Sequence, residues 1–172
     1  MHVSTRLLVA GLIAFVAFGC SKKTEEYAAE KAIESATGGE ATVTDGGESV
    51  RLKTEQGEIA VSGSGELQLP KDLPKDVVVL DGAKINTSFS TPEGLMVAYT
   101  IDAGAAEAYS KIRAAMKDGG WTEESSMESP EASVLQLRKE NRVVQYTVGL
   151  EDGATTVTLA HSIDMTGKAA TQ

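Results

Sequence analysis

One cysteine is all the chain has, so no disulfide can close within it, and Cys20 stands alone near the start. Histidine is almost as scarce: His2 opens the chain and His161 comes near its end. A zinc cage would need His161 with carboxylates only, which excludes the usual nitrogen and sulfur ligand sets. Aromatic side chains make up 5% of the sequence. A core built from so few rings is modest and mostly aliphatic, which argues against a large enzyme core. Basic residues number 16 against 25 acidic ones, for a net charge of −9. Lys and Arg cluster only in the pairs Lys22-Lys23 and Arg138-Lys139, so phosphate backbones are repelled rather than tracked, and nucleic acid is excluded as a partner. No Gly-x-Ser-x-Gly elbow, phosphate-binding loop or spaced calcium-loop Asp series occurs. The expectation is no catalytic residue, no metal and no cofactor.

Long apolar runs are also missing, save for one at the start. The opening MHVSTRLLVAGLIAFVAFGC carries Arg6, an apolar stretch from Leu7 to Phe18 and a small Gly19 before Cys20. At about 1.5 Å per residue such a helix reaches only about 20 Å, short of the roughly 30 Å of bilayer hydrocarbon. After Cys20 the chain turns polar at once, Ser-Lys-Lys-Thr-Glu-Glu. This is the grammar of an export signal: residues 1–19 read as a signal peptide and 20–24 as a tether.

These residues resemble the lipobox of bacterial lipoproteins, in which a diacylglyceryl group is added to a cysteine that becomes the mature N-terminus. Cys20 matches the acceptor and Gly19 the small residue before it, while Ala17 and Phe18 stand where such boxes carry Leu and a small residue. Ala17-Phe18-Gly19 also suits an ordinary signal peptidase, which would cut the same bond without adding lipid. Acylation would remove a free thiol from an oxidising compartment. Each buried methylene adds about 0.8 kcal/mol, so two or three acyl chains hold a protein stably on a membrane. The resemblance implies a lipid anchor on Cys20 and a place on the cell envelope. Ser21, where Asp would favour inner-membrane retention, implies the outer membrane, on its periplasmic face.

The remaining sequence reads as α+β. Residues 25–62 form a first unit. Thr24 serves as N-cap of a helix from Glu25 to Ala36, with a stripe of Tyr27, Ala28, Ala32, Ile33 and Ala36. A three-stranded meander follows at Ala41 to Asp45, Ser49 to Thr54 and Glu58 to Ser62, with Val43, Val50, Leu52, Ile59 and Val61 facing that helix. The segment AEKAIESATGGEATV with its meander resembles the start of several uncharacterised bacterial secreted proteins and lipoproteins. Residues 63–76, with Pro70 and Pro74, read as a linker.

A second unit spans 77–163. Strands are expected at Val77 to Leu80, Lys84 to Ser90 and Leu95 to Ile101, with Ile85, Thr87 and Phe89 on one face. Asp102 then caps a helix through Asp118, which Gly119-Gly120 stops. Four more strands follow at Trp121 to Ser125, Ser133 to Arg138, Arg142 to Leu150 and Thr155 to His161. One helix on a curved antiparallel sheet resembles the helix-grip domains of envelope lipoproteins in element order. Residues 164–172 read as a loose tail.

Three features invite a functional reading. Trp121, the sole tryptophan, is a candidate anchor for a partner, although a Trp opening a strand beneath a helix also fills a core. His161 continues the face of Val157 and Leu159 as an edge residue. Glu123, Glu124, Glu128 and Glu131 could offer oxygens to calcium or simply solvate a hairpin. The sequence therefore reads as a lipid-anchored, non-catalytic envelope protein, held to the membrane through Cys20 and pairing with an envelope protein through strand edges. The alternative is a small-ligand binder with an apolar pocket between the helix and its sheet, a space that Tyr109, Ile112, Met116 and Phe89 would close if they pack it solid.

Overall fold

The computed structural model describes residues 22–65 and 67–164. The expected signal peptide and Cys20 lie outside the described residues, as do the residues after Asp164. Two helices and nine strands follow in chain order: α1 (Lys22–Thr37), β1 (Glu40–Thr44), β2 (Ser49–Thr54), β3 (Gly57–Ser62), β4 (Lys84–Thr91), β5 (Gly94–Ile101), α2 (Ala105–Asp118), β6 (Thr122–Glu128), β7 (Ala132–Lys139), β8 (Arg142–Glu151) and β9 (Ala154–Ile163). The fold is α+β and mostly sheet.

All nine strands belong to one antiparallel sheet, ordered β1-β2-β3-β4-β5-β9-β8-β7-β6. The expected pair of separate units, a helix with its own three-stranded meander and then a single helix on its own sheet, is corrected here. β3 pairs with β4, placing Ile59 opposite Phe89 and Val61 opposite Thr87. Gly57 permits this seam, because a Cβ at that position would lie 2.1 Å from the Ser90 carbonyl oxygen. The meander is therefore the flank of a larger sheet.

The intervening segment is not a free linker. The Leu73 amide bonds the Pro70 carbonyl (3.1 Å) and the Val77 amide the Pro74 carbonyl (3.0 Å), so each proline starts a turn that folds the chain back. Leu67, Leu73, Val78, Val79 and Leu80 pack against the core and Val77 is buried within it. Val77 to Leu80, expected as a strand, forms no ladder. It runs past the last turn of α2, where the Val78 amide donates to the Met116 sulfur at 3.4 Å and the Tyr146 hydroxyl donates to the Val78 carbonyl at 2.8 Å.

That core lies on one face of the sheet. Ile112 and Met116 of α2 are fully enclosed against Val97, Tyr99, Leu135, Tyr146 and Leu159. Alternation along β4 breaks at a bulge between Ile85 and Thr87, where Asn86 is the extra residue. Ile85 accordingly faces the core, while Thr87 and Phe89 face the other way, so the three do not share a face as expected. The N-cap of α2 is Gly104 and not Asp102; its carbonyl accepts from the Ala108 amide at 2.9 Å. The stop belongs to Gly120, at φ +80°, one residue beyond Gly119.

Candidate interaction edges

An antiparallel sheet with two ends presents two rows of backbone donors and acceptors, and the ends of this sheet are treated differently. At the β1 end, α1 lies along the strand with a row of carboxylates turned toward it. The Gly46 amide donates to Glu26 Oε1 at 2.8 Å, the Val43 amide to Glu30 Oε1 at 2.8 Å, and the Ala41 amide to Glu34 Oε1 at 3.4 Å. Positions i, i+4 and i+8 stack on one helix face, so three glutamates reach two outward amides of β1 and one in the turn after it. The side chains stand where a neighbouring strand's carbonyls would be.

The expected apolar stripe does not perform the docking. Tyr27 is 60% exposed, Ala28, Ala32 and Ala36 are exposed, and α1 has no buried residue. Thr24, expected as its cap, lies inside the helix. Of the residues expected beneath α1, Val43 is buried, but Ile59 and Val61 are 41% and 46% exposed because α1 reaches only across β1. Leu52, Ile59 and Phe89 instead line an open trough of about 700 Å³, rimmed by Thr37, Thr54 and Thr91.

At the other end, β6 is exposed at all seven residues. The Ser129 amide bonds the Ala132 carbonyl at 3.0 Å, which makes Met127 opposite Val134 a hydrogen-bonded pair. The amides of Ser126 and Glu128 then point outward, away from the sheet. A bulge between Glu123 and Ser125 bends the strand. Glu123 accepts from Arg113 of α2 at 2.8 and 2.9 Å, while Glu124 turns to the opposite face and pairs with Arg138 and Gln136. Glu128 also approaches Arg113, at 3.9 Å, so Glu123 and Glu128 share one cation while Glu124 pairs across the sheet, and among the described residues these acids form no metal-type cluster. Hydrogen bonds from Ser126 and Arg113 hold the Glu123 carboxyl below the usual carboxylate range.

Trp121 lies 3% exposed in the core. Its indole N–H donates to the Asp76 carbonyl at 3.0 Å, and Arg142 stacks 5.0 Å from its ring centre. The indole is not presented to a partner. Asp76 receives two bonds from Arg142, at 2.8 and 2.9 Å, and one from Lys139 at 2.9 Å. The Arg142 bonds above all hold its carboxyl well below the ordinary range. This clasp fastens the 70–80 strap to the β7–β8 turn. His161 is also buried, on the α2 face, with neither ring nitrogen hydrogen-bonded; burial and nearby Arg142 push its pKa down. Desolvation pushes the Tyr99 hydroxyl up to about 12.

The expected pocket beneath α2 is filled. Tyr109 is 4% exposed, and Ile112 and Met116 touch no solvent at all, so no water-sized space adjoins them. Phe89, the fourth residue expected to fill that space, is on the opposite face. No family model matches the chain, and no match was found among curated proteins or solved structures.

Proposed function

We propose that this chain is a non-catalytic protein-interaction module of the bacterial cell envelope, anchored by lipid on Cys20 at the periplasmic face of the outer membrane, that adds a partner's extended segment to β6. The contrast between the two sheet ends carries the reading: one edge is occupied by α1, and the other offers the outward amides of Ser126 and Glu128. The non-catalytic part rests on His161 being buried near the clasp, out of a substrate's reach, and on Trp121 and Asp76 being committed to that clasp. The order of elements around α2 fits a helix-grip arrangement for the half from β4 to β6. Among the described residues no helix is long and apolar enough to cross a membrane.

Two measurements test the proposal. The intact mass of envelope-extracted protein reports cleavage before Cys20 and its acylation together; a chain starting at Met1, or a bare thiol, removes the anchor. Capture from crosslinked envelopes should enrich a protein over a lipidated control domain, and Ser126→Pro, which deletes an outward amide, should abolish that enrichment. Equal capture by the proline variant would remove β6 from the reading. The trough at Leu52, Ile59 and Phe89 favours a second reading, a small apolar ligand, at a different place from the one expected. Phe89→Glu should then abolish binding of a fluorescent apolar probe.

A further inference from the structure

The β1 edge has its own use, independent of β6. We infer that α1 is a removable guard over a latent self-pairing edge, and that β1 joins β1 of a second copy of this chain when the guard is lifted.

The helix and the strand are held together by hydrogen bonds more than by packing. Four residues of α2 are buried against the sheet, whereas none of α1's own residues is buried, and beneath it only the small Ala41 and Val43 are. What fixes α1 is the set of bonds from Gly46, Val43 and Ala41 to Glu26, Glu30 and Glu34, with Ile33 half-buried among them. Another strand's carbonyls could satisfy the two β1 amides equally well.

The register of β1 favours a second copy as that strand. Ala41 and Val43 point their amides outward, and in an extended chain their carbonyls point the same way. An antiparallel two-fold pairing centred on Thr42 sets Ala41 opposite Val43 of the other copy, and the reverse. Both pairs are then of the hydrogen-bonded kind, giving four bonds. Thr42 faces its own counterpart across the axis, a favourable cross-strand pair. Glu40 meets Thr44, so no like charges face each other along the strand. Ala41 and Val43 would continue the row of Leu52, Ile59 and Val61 across the junction, on the face where those side chains are uncovered. The contact is isologous and closes as a dimer.

The hydrogen-bond count also explains why the guarded form is the resting one. Each chain keeps three bonds to α1 with the guard in place and gains two from the dimer. Removing the glutamate acceptors reverses the preference.

The test is the triple variant Glu26→Ala, Glu30→Ala, Glu34→Ala in the full chain, followed by sedimentation and amide exchange. A doubled mass is expected, with the Ala41 and Val43 amides protected in a concentration-dependent way. Adding Ala41→Pro, which removes one outward amide per copy, should restore the monomer. The matching glutamine triple keeps its carbonyl acceptors and should stay monomeric. An alanine triple that remains monomeric overturns the inference, whether those amides exchange fast or slowly. So does a glutamine triple that dimerises, or an assembly indifferent to Ala41→Pro. If the triple is too poorly folded to measure, Glu30→Ala alone should accelerate exchange of the Val43 amide, and unchanged exchange there overturns the guard.

Discussion

The two halves of this sheet share one hydrogen-bonded ladder but differ in how they are held. From β4 to β6 the sheet carries a core closed by α2, the strap and Trp121. From β1 to β3 the buried set shrinks to Ala41, Val43, Ala60 and Ser62, and α1 rests on acceptors more than on apolar area. Burial of large aliphatic side chains sets the stability of the first half, and edge satisfaction sets the shape of the second. A sheet can thus be continuous in topology and uneven in strength.

The largest effect that sharpens this contrast is expected at α2. Ile112→Ala should cost about 2–5 kcal/mol in urea melts, through lost contacts and the cavity left behind. Asp76→Ala comes next, at about 1.5–3 kcal/mol, because charge-assisted bonds tie the strap to Arg142 and Lys139. Proteolysis should then cut first between Leu67 and Leu80. A loss of stability without new cleavage would show that the strap is held by its valines and leucines alone.

His161 supplies a smaller, pH-dependent effect. Its folded pKa is depressed, so below about 6.5 the unfolded chain takes up a proton that the folded chain resists. Stability is therefore complete above that pH and declines as pH falls from 6.5 toward the folded value. Arg142 opposes protonation, while Asp76 and Asp72 favour it. The decline should disappear from thermal melts of His161→Phe. The smallest effect is expected in the weaker half, where deleting α1 should leave the unfolding transition of the α2 core in place. A large loss of cooperativity would show that the halves depend on each other more than their burial implies.

Much of the ladder was legible in alternation and turn residues. β2 runs over the expected positions, and β3, β5, β7, β8 and β9 differ from them by one or two residues at an end. Three departures have separate physical causes. Asn86 shifted the period of β4, so Ile85 parted from Phe89. Two prolines made 63–76 look like a spacer, although Leu67, Leu73 and the valines after Pro74 needed somewhere to be buried. In α1 the apolar stripe drew attention away from Glu26, Glu30 and Glu34, whose period was equally regular. Carboxylates at i, i+4 and i+8 beside a predicted edge strand were the available signal. Trp121 fills the core, the commoner fate of a lone tryptophan under a helix.

The place of β9 has a consequence for how the molecule comes into being. Made late in the chain, it sits between β5 and β8 near the middle of the sheet. Without it the ladder divides into two ribbons, β1 to β5 and β6 to β8, joined only through α2 and the clasp on Asp76. Such a chain has little reason to lock early, and non-local closure of this kind is slow. The arch is complete only once its keystone is set, because β9 alone borders both ribbons.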